Sequence, residues 1–497
     1  MRPLELVVLL ALAVRAGRAV RRPAEGERSG VPLDAAAVLA LSVLAQVALE
    51  GVRWTLAPLH GLALAWVGRD LLRAARGRPA AVPGRGPRVG AAVGLTLLLL
   101  AAAAPSWSFP VPQLPAPTGP HAVGSDAVTV DVRLPADARP PAAVSPTDAS
   151  PLSATDASTG SPTVTPTDAV RRVRARLWYP AADATDARAG GATCDRRWLE
   201  HPGAMLPALA ERGGLPAWAM SHLRFARVHA CWGAPLADVG ALPVVTLDHG
   251  RGGFAAQTTY LAEELASHGW LVVAPEHPGG AVATVVDGAL VPFDPVAFGA
   301  GREGAAYRDA IRTLGRRWVA DLRAVLDALE AGAGPPGVRD RLARDVLVTA
   351  GHSTGGGAAF GACAAEPGCR AAVGLDPWML PTPATLLGPA TSAGGLEAEV
   401  LAVFSDPARG FFEPANREAF DGLAEATRAR GYAVRAIELR GAGHNDVTDV
   451  PRLSPFAGAL GLYVGPAPAD VVHARVRGEV VAVLERARAR DDVASSR

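Results

Sequence analysis

Asp345–Ala365 reads DVLVTAGHSTGGGAAFGACAA. Its first six residues, Asp345–Ala350, are a run suited to a strand buried on both faces. Gly351-His352-Ser353-Thr354-Gly355 follows, and Gly357–Ala365 then continues as a helix of small residues. A strand that turns sharply through Gly-x-Ser-x-Gly into a helix lifts a serine hydroxyl out of the edge of a sheet. The glycines are steric requirements, because the serine backbone is strained and side chains on either side would collide. The helix N-terminus behind the serine favours negative charge developing there. In a chain with 54 glycines the five-residue pattern alone is weak. Its position between strand and helix gives it meaning, and it makes Ser353 the candidate nucleophile.

On either side of this stretch, strands alternate with helices. Val173–Tyr179, Ala241–Leu247, Leu271–Ala274, Ala371–Leu375, Val400–Phe404 and Tyr432–Leu439 read as strands, after an earlier one at Ala127–Leu134. Thr258–His268, Arg308–Glu330, Arg417–Arg430 and Val471–Arg488 read as helices. That order predicts an α/β-hydrolase fold with a mostly parallel sheet covered on both faces.

A serine hydroxyl needs a base, and the base an orienting carboxylate, in the order serine, acid, histidine. Only His444 and His473 follow Ser353. His444 lies in Gly441-Ala442-Gly443-His444-Asn445-Asp446 directly after the last strand, whereas His473 falls inside the closing helix. His444 is therefore the candidate base. Asp376 and Asp406 each end a strand at the carboxyl edge of the sheet, so the residues alone leave the acid open between them. Asp446 and Asp449 are too near His444 in sequence to orient its far nitrogen. An oxyanion needs two N–H donors, one from the residue after the nucleophile, Thr354, and one from an earlier strand-end loop. His249-Gly250-Arg251-Gly252-Gly253 is that loop, with Arg251 as the donor and its side chain free to meet an anionic substrate group.

Read together, these segments resemble the platelet-activating factor acetylhydrolase family of α/β-hydrolase lipases and esterases, in a bacterial membrane-anchored form. The resemblance rests on Arg176-Leu177-Trp178-Tyr179-Pro180, Asp248–Phe254 (DHGRGGF), Leu265–Trp270 (LASHGW) and Ala274–Pro278 (APEHP). It continues through Gly351–Gly356 (GHSTGG), Leu375–Pro381 (LDPWMLP), Phe412–Asn416 (FEPAN) and Gly443-His444-Asn445. It implies calcium-independent hydrolysis of short or oxidised acyl chains from phospholipids; no cofactor is expected. It also implies Asp376 as the acid, and oxyanion donors at Arg251 and Thr354. Pro377 after the acid and Thr354 after the nucleophile depart from the family pattern and bear on acyl preference. A general carboxylesterase or polyester hydrolase, a peptidase and a non-catalytic membrane sensor are the alternatives.

The first 108 residues are of another kind. Apolar runs at Leu4–Val20, Ala35–Glu50, Trp54–Leu72 and Val89–Trp107 predict a transmembrane anchor of three or four helices. Arginines crowd the links between runs one and two (Arg21, Arg22, Arg28) and between runs three and four (Arg73, Arg76, Arg78, Arg85). The positive-inside rule then puts those links in the cytoplasm and everything after Trp107 outside, a multi-pass cell-membrane protein. A proline-rich linker is expected over 109–125 and the hydrolase domain over 126–497. A disordered insertion is expected at about 135–168, where TDA recurs at Thr147, Thr155 and Thr167, with a cap at about 181–240.

An outward domain permits disulfides, and Cys363–Cys369 with Cys194–Cys231 is the simplest pairing of the four cysteines. A formal net charge of +1 gives no field for nucleic acid. The partners expected are an ester or phospholipid substrate and the bilayer, and no His/Cys cluster has metal-ligand spacing.

Overall fold

The computed structural model describes residues 3–20, 33–76, 85–139, 170–182, 194–387 and 394–494. Most of the predicted insertion at 135–168 and the start of the cap lie outside the described residues.

A nine-stranded sheet organises the chain from residue 122 onward. Its strands are β1 (Ala122–Arg133), β2 (Val170–Ala181), β3 (Cys231–Trp232), β4 (Leu242–Asp248), β5 (Leu271–Glu276), β8 (Leu342–His352), β9 (Cys369–Leu375), β10 (Glu399–Phe404) and β11 (Val434–Glu438). They lie in the order β11-β10-β9-β8-β4-β5-β2-β1-β3. β2 runs antiparallel to β1 and β5, and every other pairing in the sheet is parallel. This is the mostly parallel α/β sheet expected from the sequence. All residues of β4 and β10 are buried, because helices cover both faces.

On one face the helices Thr259–Ser267 and Ala469–Ala494 pack Leu261, Leu265, Val476, Val480 and Leu484 against Val245, Val272 and Val348. On the other, the helix Gly304–Glu330 turns Leu322, Val325, Leu326 and Leu329 onto Leu177, Val244 and Val273. That three-to-four spacing is an amphipathic stripe, and the helix that carries it starts four residues earlier than the Arg308 expected from the sequence. The helices Thr354–Ala365 and Pro414–Ala429 complete this face around Phe360 and Phe420.

Two additions were not read from the sequence. β6 (Ala283–Val286) and β7 (Ala289–Pro292) form a hairpin outside the main sheet. The short helix Val338–Arg341 precedes β8. The described part of the cap holds the helix Pro202–Arg212 and a 3-10 turn at Ala217–Phe225, whose Met205, Leu206 and Leu223 join the main core. Disulfides join Cys194 to Cys231 and Cys363 to Cys369, the expected pairs. The proline-rich stretch is not a free spacer. Thr118 N and Gly119 N donate to Glu264 and Ser267, and Arg477 holds the carbonyls of Pro115 and Ala116.

The N-terminal residues form four packed helices, α1 (Pro3–Val20), α2 (Leu33–Ala45), α3 (Ala57–Ala75) and α4 (Arg85–Ser108). Among the described residues no helix is long and apolar enough to cross a membrane. The expectation of three or four spanning helices is not met, and for α1, α2 and α3 the physical reasons are visible. α2 has only 13 residues, about 20 Å, against the ~30 Å of a bilayer core. α1 and α3 carry Glu5, Arg15 and Asp70 within their apolar runs. Those charges are turned inward and paired: Arg15 donates to Asp70 at 2.7 and 3.0 Å, and Arg53 pairs with Glu5. Leu10, Val14, Leu41, Leu44, Leu64 and Leu97 face outward instead. The bundle touches the domain where Trp54 Nε1 donates to the Ala219 carbonyl (3.1 Å) and Ser454 Oγ to the Ser108 carbonyl (2.6 Å).

Candidate active site

β8 ends at His352, and Ser353 turns the chain into the helix Thr354–Ala365 with φ 56° and ψ −118°. That strained backbone is the expected elbow. A Cβ on Gly351 would lie 2.4 Å from the Gly355 backbone, and one on Gly355 would lie 2.5 Å from the Asp248 carbonyl oxygen. Only glycine lets the helix sit this close to β8 and β4. Ser353 is 7% exposed.

His444 lies in the loop after β11, and its Nδ1 is 2.6 Å from Asp376 Oδ2. Asp376, directly after β9, has φ 43°, which swings its carboxylate across the sheet edge. Ser405 clamps that carboxylate with its N–H and its hydroxyl, both at 2.9 Å. Burial acts to raise the Asp376 carboxyl, but His444 and Ser405 outweigh it and hold it below its ordinary range. Phe411 stacks on the His444 ring at 3.6 Å and 7°. His352 Nε2 donates to the His444 carbonyl (3.0 Å), while Gln257 Nε2 donates to His352 Nδ1 (3.1 Å). Burial, then the neighbouring His444, pushes the His352 imidazole down to about 3, so it is neutral.

The other candidates have different work. Asp406 accepts from Ala408 N and Gly441 N and caps the turn after β10. Asp446 braces Gly443 N and Gly465 N, and Asp449 accepts from Thr259 N and Tyr260 N at the start of a helix. His473 bonds the Thr448 carbonyl and stacks on Tyr260. Ser353 Oγ makes no hydrogen bond among the described residues, so the structure brings Asp376 to His444 but leaves the serine–histidine bond unmade. Such bonds often tighten only when substrate is bound.

The loop after β4 lies against the serine: a Cβ on Gly250 would be 3.1 Å from Ser353 Cβ. Gly252 N and Gly253 N are used inside the fold, bonding Gly280 O and Gly250 O. The N–H groups of Arg251 and Thr354 have no hydrogen-bond partner among the described residues. Beneath the loop lies a buried cluster that the reading of the sequence missed. His277 sits between Asp321 (2.8 Å) and Asp248 (3.2 Å), stacked on Trp318 at 4.1 Å, and Asp321 also pairs with Arg171. Burial acts to lower the His277 imidazole, but the two carboxylates outweigh it and hold it above its ordinary value. Its backbone N–H donates to His249 Nε2, and His249 Nδ1 donates to the Gly250 carbonyl, so the cluster reaches the loop directly. The signal available was a histidine in Ala274–Pro278 (APEHP) and an aspartate on the apolar stripe of a helix.

A cavity beyond Phe254 is lined by Arg174, Arg176, Glu200, His201 and Glu276, and it opens on neither Ser353 nor His444. Among the described residues no group of three His, Cys, Asp or Glu side chains is placed to hold a metal ion.

The family model for platelet-activating factor acetylhydrolase, isoform II, matches residues 107–287. Curated platelet-activating factor acetylhydrolases are similar to this chain. That of Cavia porcellus is 26% identical, over 31% of this chain and 39% of the relative. Those of Canis lupus familiaris and Bos taurus are 26% and 25% identical, over 31% of this chain and 38% of each. The match thus spans about two fifths of the curated relatives. The family-model match contains the Asp248–Phe254 loop and ends before Ser353. Among solved structures, a ferulic acid esterase from Streptomyces cinnamoneus superposes with a TM-score of 0.53 at 22% identity. It covers 76% of this chain and 93% of its own, a likeness of fold.

Proposed function

We propose that this chain is a serine ester hydrolase of the platelet-activating factor acetylhydrolase type, acting on short acyl esters, including sn-2 acyl groups of phospholipids. The observation that carries the reading is the 2.6 Å bond from His444 to Asp376 at the same sheet edge as the strained Ser353. Ser353 Oγ attacks the ester carbonyl while His444 Nε2 takes its proton. Asp376, kept ionised by Ser405 and His444, holds the imidazole and balances its cation. The free N–H groups of Arg251 and Thr354 receive the oxyanion. His444 then protonates the leaving alcohol, and water releases the acyl group by the same steps.

The test is hydrolysis of p-nitrophenyl acetate, butyrate and octanoate, and of a phospholipid with a short sn-2 chain, by the chain and by Ser353→Ala. Serine-dependent activity on short esters and on the phospholipid is expected. Activity on simple esters alone would favour a general carboxylesterase or polyester hydrolase, the reading that Pro377 and Thr354 leave open. No serine-dependent activity on any of them would overturn the hydrolase reading in favour of a peptidase or a membrane sensor.

We also propose that the N-terminal bundle seats the chain in a membrane, as one assembled unit, with the domain on the outer side. What supports this is the distribution of side chains: leucines and valines face outward while Arg15, Asp70, Glu5 and Arg53 are paired inside. Two disulfides in the domain agree with an outward compartment. Extraction from membranes by alkaline carbonate would contradict it; retention until detergent is added is expected.

A further inference from the structure

We propose that His277 is a positioning residue for the candidate oxyanion site. Clamped between Asp248 and Asp321, it holds His249 in the one tautomer that fixes the direction of the Arg251 N–H. The proposal rests on the hydrolase reading above, which supplies the oxyanion, and adds to it what keeps the donor in place.

The hydrogen bonds leave His249 a single ring state. A backbone N–H can only donate, so the bond from His277 N (3.3 Å) makes His249 Nε2 an acceptor. A carbonyl can only accept, so the bond to the Gly250 carbonyl (2.7 Å) puts the ring proton on Nδ1. Gly253 N donates to the same carbonyl at 2.9 Å, which fills both of its lone pairs. The Gly250–Arg251 peptide is planar and trans, so its N–H points opposite to its C=O. Pinning the Gly250 carbonyl therefore aims the Arg251 N–H. Burial, then the neighbouring His277, pushes the His249 imidazole down to about 3, so the ring stays neutral and Nε2 stays free to accept.

His277 anchors the other end of this chain of bonds. Its carbonyl accepts from Gly280 N (2.8 Å) and Ala281 N (2.9 Å). That turn meets the oxyanion loop again, through Gly252 N to Gly280 O and Val282 N to Gly253 O, both at 2.8 Å. The ring is fully buried, face to face with Trp318, and donates to Asp321 Oδ2 (2.8 Å) and Asp248 Oδ1 (3.2 Å). Only a doubly protonated imidazole can donate to both; a neutral one turns a lone pair on one carboxylate. The charged and titratable groups around it are Asp248 and His249 at the end of β4, Asp321 and Arg317 on the helix Gly304–Glu330, and Arg171 on β2, which pairs with Asp321. Asp294, after β7, reaches the same turn through its N–H to the Gly279 carbonyl (2.9 Å). Burial acts to raise the Asp321 carboxyl, but Arg171 and then His277 outweigh it; burial raises the Asp248 carboxyl. Burial acts to lower the His277 imidazole, and the two carboxylates outweigh it. The clamp is therefore complete at neutral pH and is lost as pH rises through a folded pKa above 6.5.

The experiment uses the full chain in detergent, with 4-nitrophenyl butyrate as substrate from about pH 6 to 10. An oxyanion donor acts on the transition state more than on bound ester, so its misplacement lowers kcat rather than raising KM. His277→Gln is expected to cut kcat about tenfold or more with KM within about twofold, short of the roughly 10²–10³ for losing a donor outright. Wild type is expected to lose kcat along an alkaline limb that His277→Gln lacks. Asp321→Asn keeps the imidazole but removes one carboxylate. It is expected to move the limb down by about one pH unit or more, a shift that a merely structural role would not produce. Nitrogen-15 NMR of histidine-labelled Ser353→Ala reads the rings without catalysis: His249 protonated on Nδ1 alone, His277 on both nitrogens at neutral pH. These last two readings hold even where His277→Gln does not fold. Unchanged kcat in His277→Gln, a limb that Asp321→Asn leaves in place, or a proton on His249 Nε2 would each overturn the inference. No Ser353-dependent hydrolysis, with the expected ring states present, would instead overturn the hydrolase reading alone.

Discussion

Two aspartates just past the ends of adjacent strands, Asp376 after β9 and Asp406 after β10, differ chiefly in backbone conformation. Asp376 has φ 43° and reaches His444, while Asp406 has φ −62° and caps its own turn. Asp376→Asn is therefore expected to lower kcat by roughly 10³–10⁴ while the protein stays folded, because a neutral amide no longer fixes the tautomer or balances the cation. Asp406→Asn is expected to leave kcat within a few-fold; steady-state assays of both variants decide it. Nothing in the residues themselves separates the two acids, since both satisfy the strand-end rule. Ser353 and His444, by contrast, were legible from the turn motif and from a near absence of rivals.

His352 carries a prediction about pH. Its folded pKa is about 3 and its unfolded value about 6.5, so above 6.5 it is neutral in both states and adds no pH dependence. Below 6.5 the unfolded chain binds a proton that the folded chain refuses, so stability falls with acidification, by up to about 1.4 kcal/mol per pH unit. His352→Gln lacks that loss. In urea titrations between pH 7 and 4, the wild-type advantage over the variant should shrink as pH falls. Parallel curves would mean that His352 is protonated in the fold.

At the scale of elements, the helix Thr354–Ala365 is held by what its glycines lack. Gly355→Ala would drive a methyl group into the Asp248 carbonyl. A loss of about 3 kcal/mol or more is expected, at the upper end for overpacking because the obstacle is backbone. Denaturant midpoints measure it, and a near-neutral result would mean that β4 yields. The strands around this helix were legible because they are buried on both faces and read as unbroken apolar runs. The β6–β7 hairpin was not, although Asp287-Gly288 at its turn, with φ 51° and 79°, is a standard hairpin pair between two short apolar runs. The cluster of Asp248, His277 and Asp321 was illegible for another reason: its members come from two strand ends and a helix, and only the folded sheet brings them together.

At the scale of the whole molecule, the domain and the bundle differ in their surfaces. Both have apolar cores, but in the bundle the core around Leu12, Leu39 and Leu59 also encloses the paired Glu5, Arg15, Arg53 and Asp70, and much of the outward surface is apolar. Hydropathy alone reads the four runs as independent spans, because it does not see that Arg15 and Asp70, 55 residues apart, neutralise each other. Arg15→Met leaves Asp70 buried with only the more distant Arg69, at 3.5 Å, and should cost about 3–5 kcal/mol. Arg15→Met with Asp70→Leu should recover most of that. Thermal unfolding in detergent of both variants is the measurement, and equal losses would mean that the pair contributes little.

That same pairing sets an order of events during synthesis. The chain leaves the ribosome N-terminus first, so α1 emerges with Glu5 and Arg15 before either partner exists. Glu5 must wait for Arg53 and Arg15 for Asp70, until the link after α2 and then α3 have been made. Until then α1 is a charged helix with nowhere apolar to go. Its commitment to the bundle is a late event for an element made before its partners, and a pause in translation before the Asp70 codon should prolong the interval in which it is exposed.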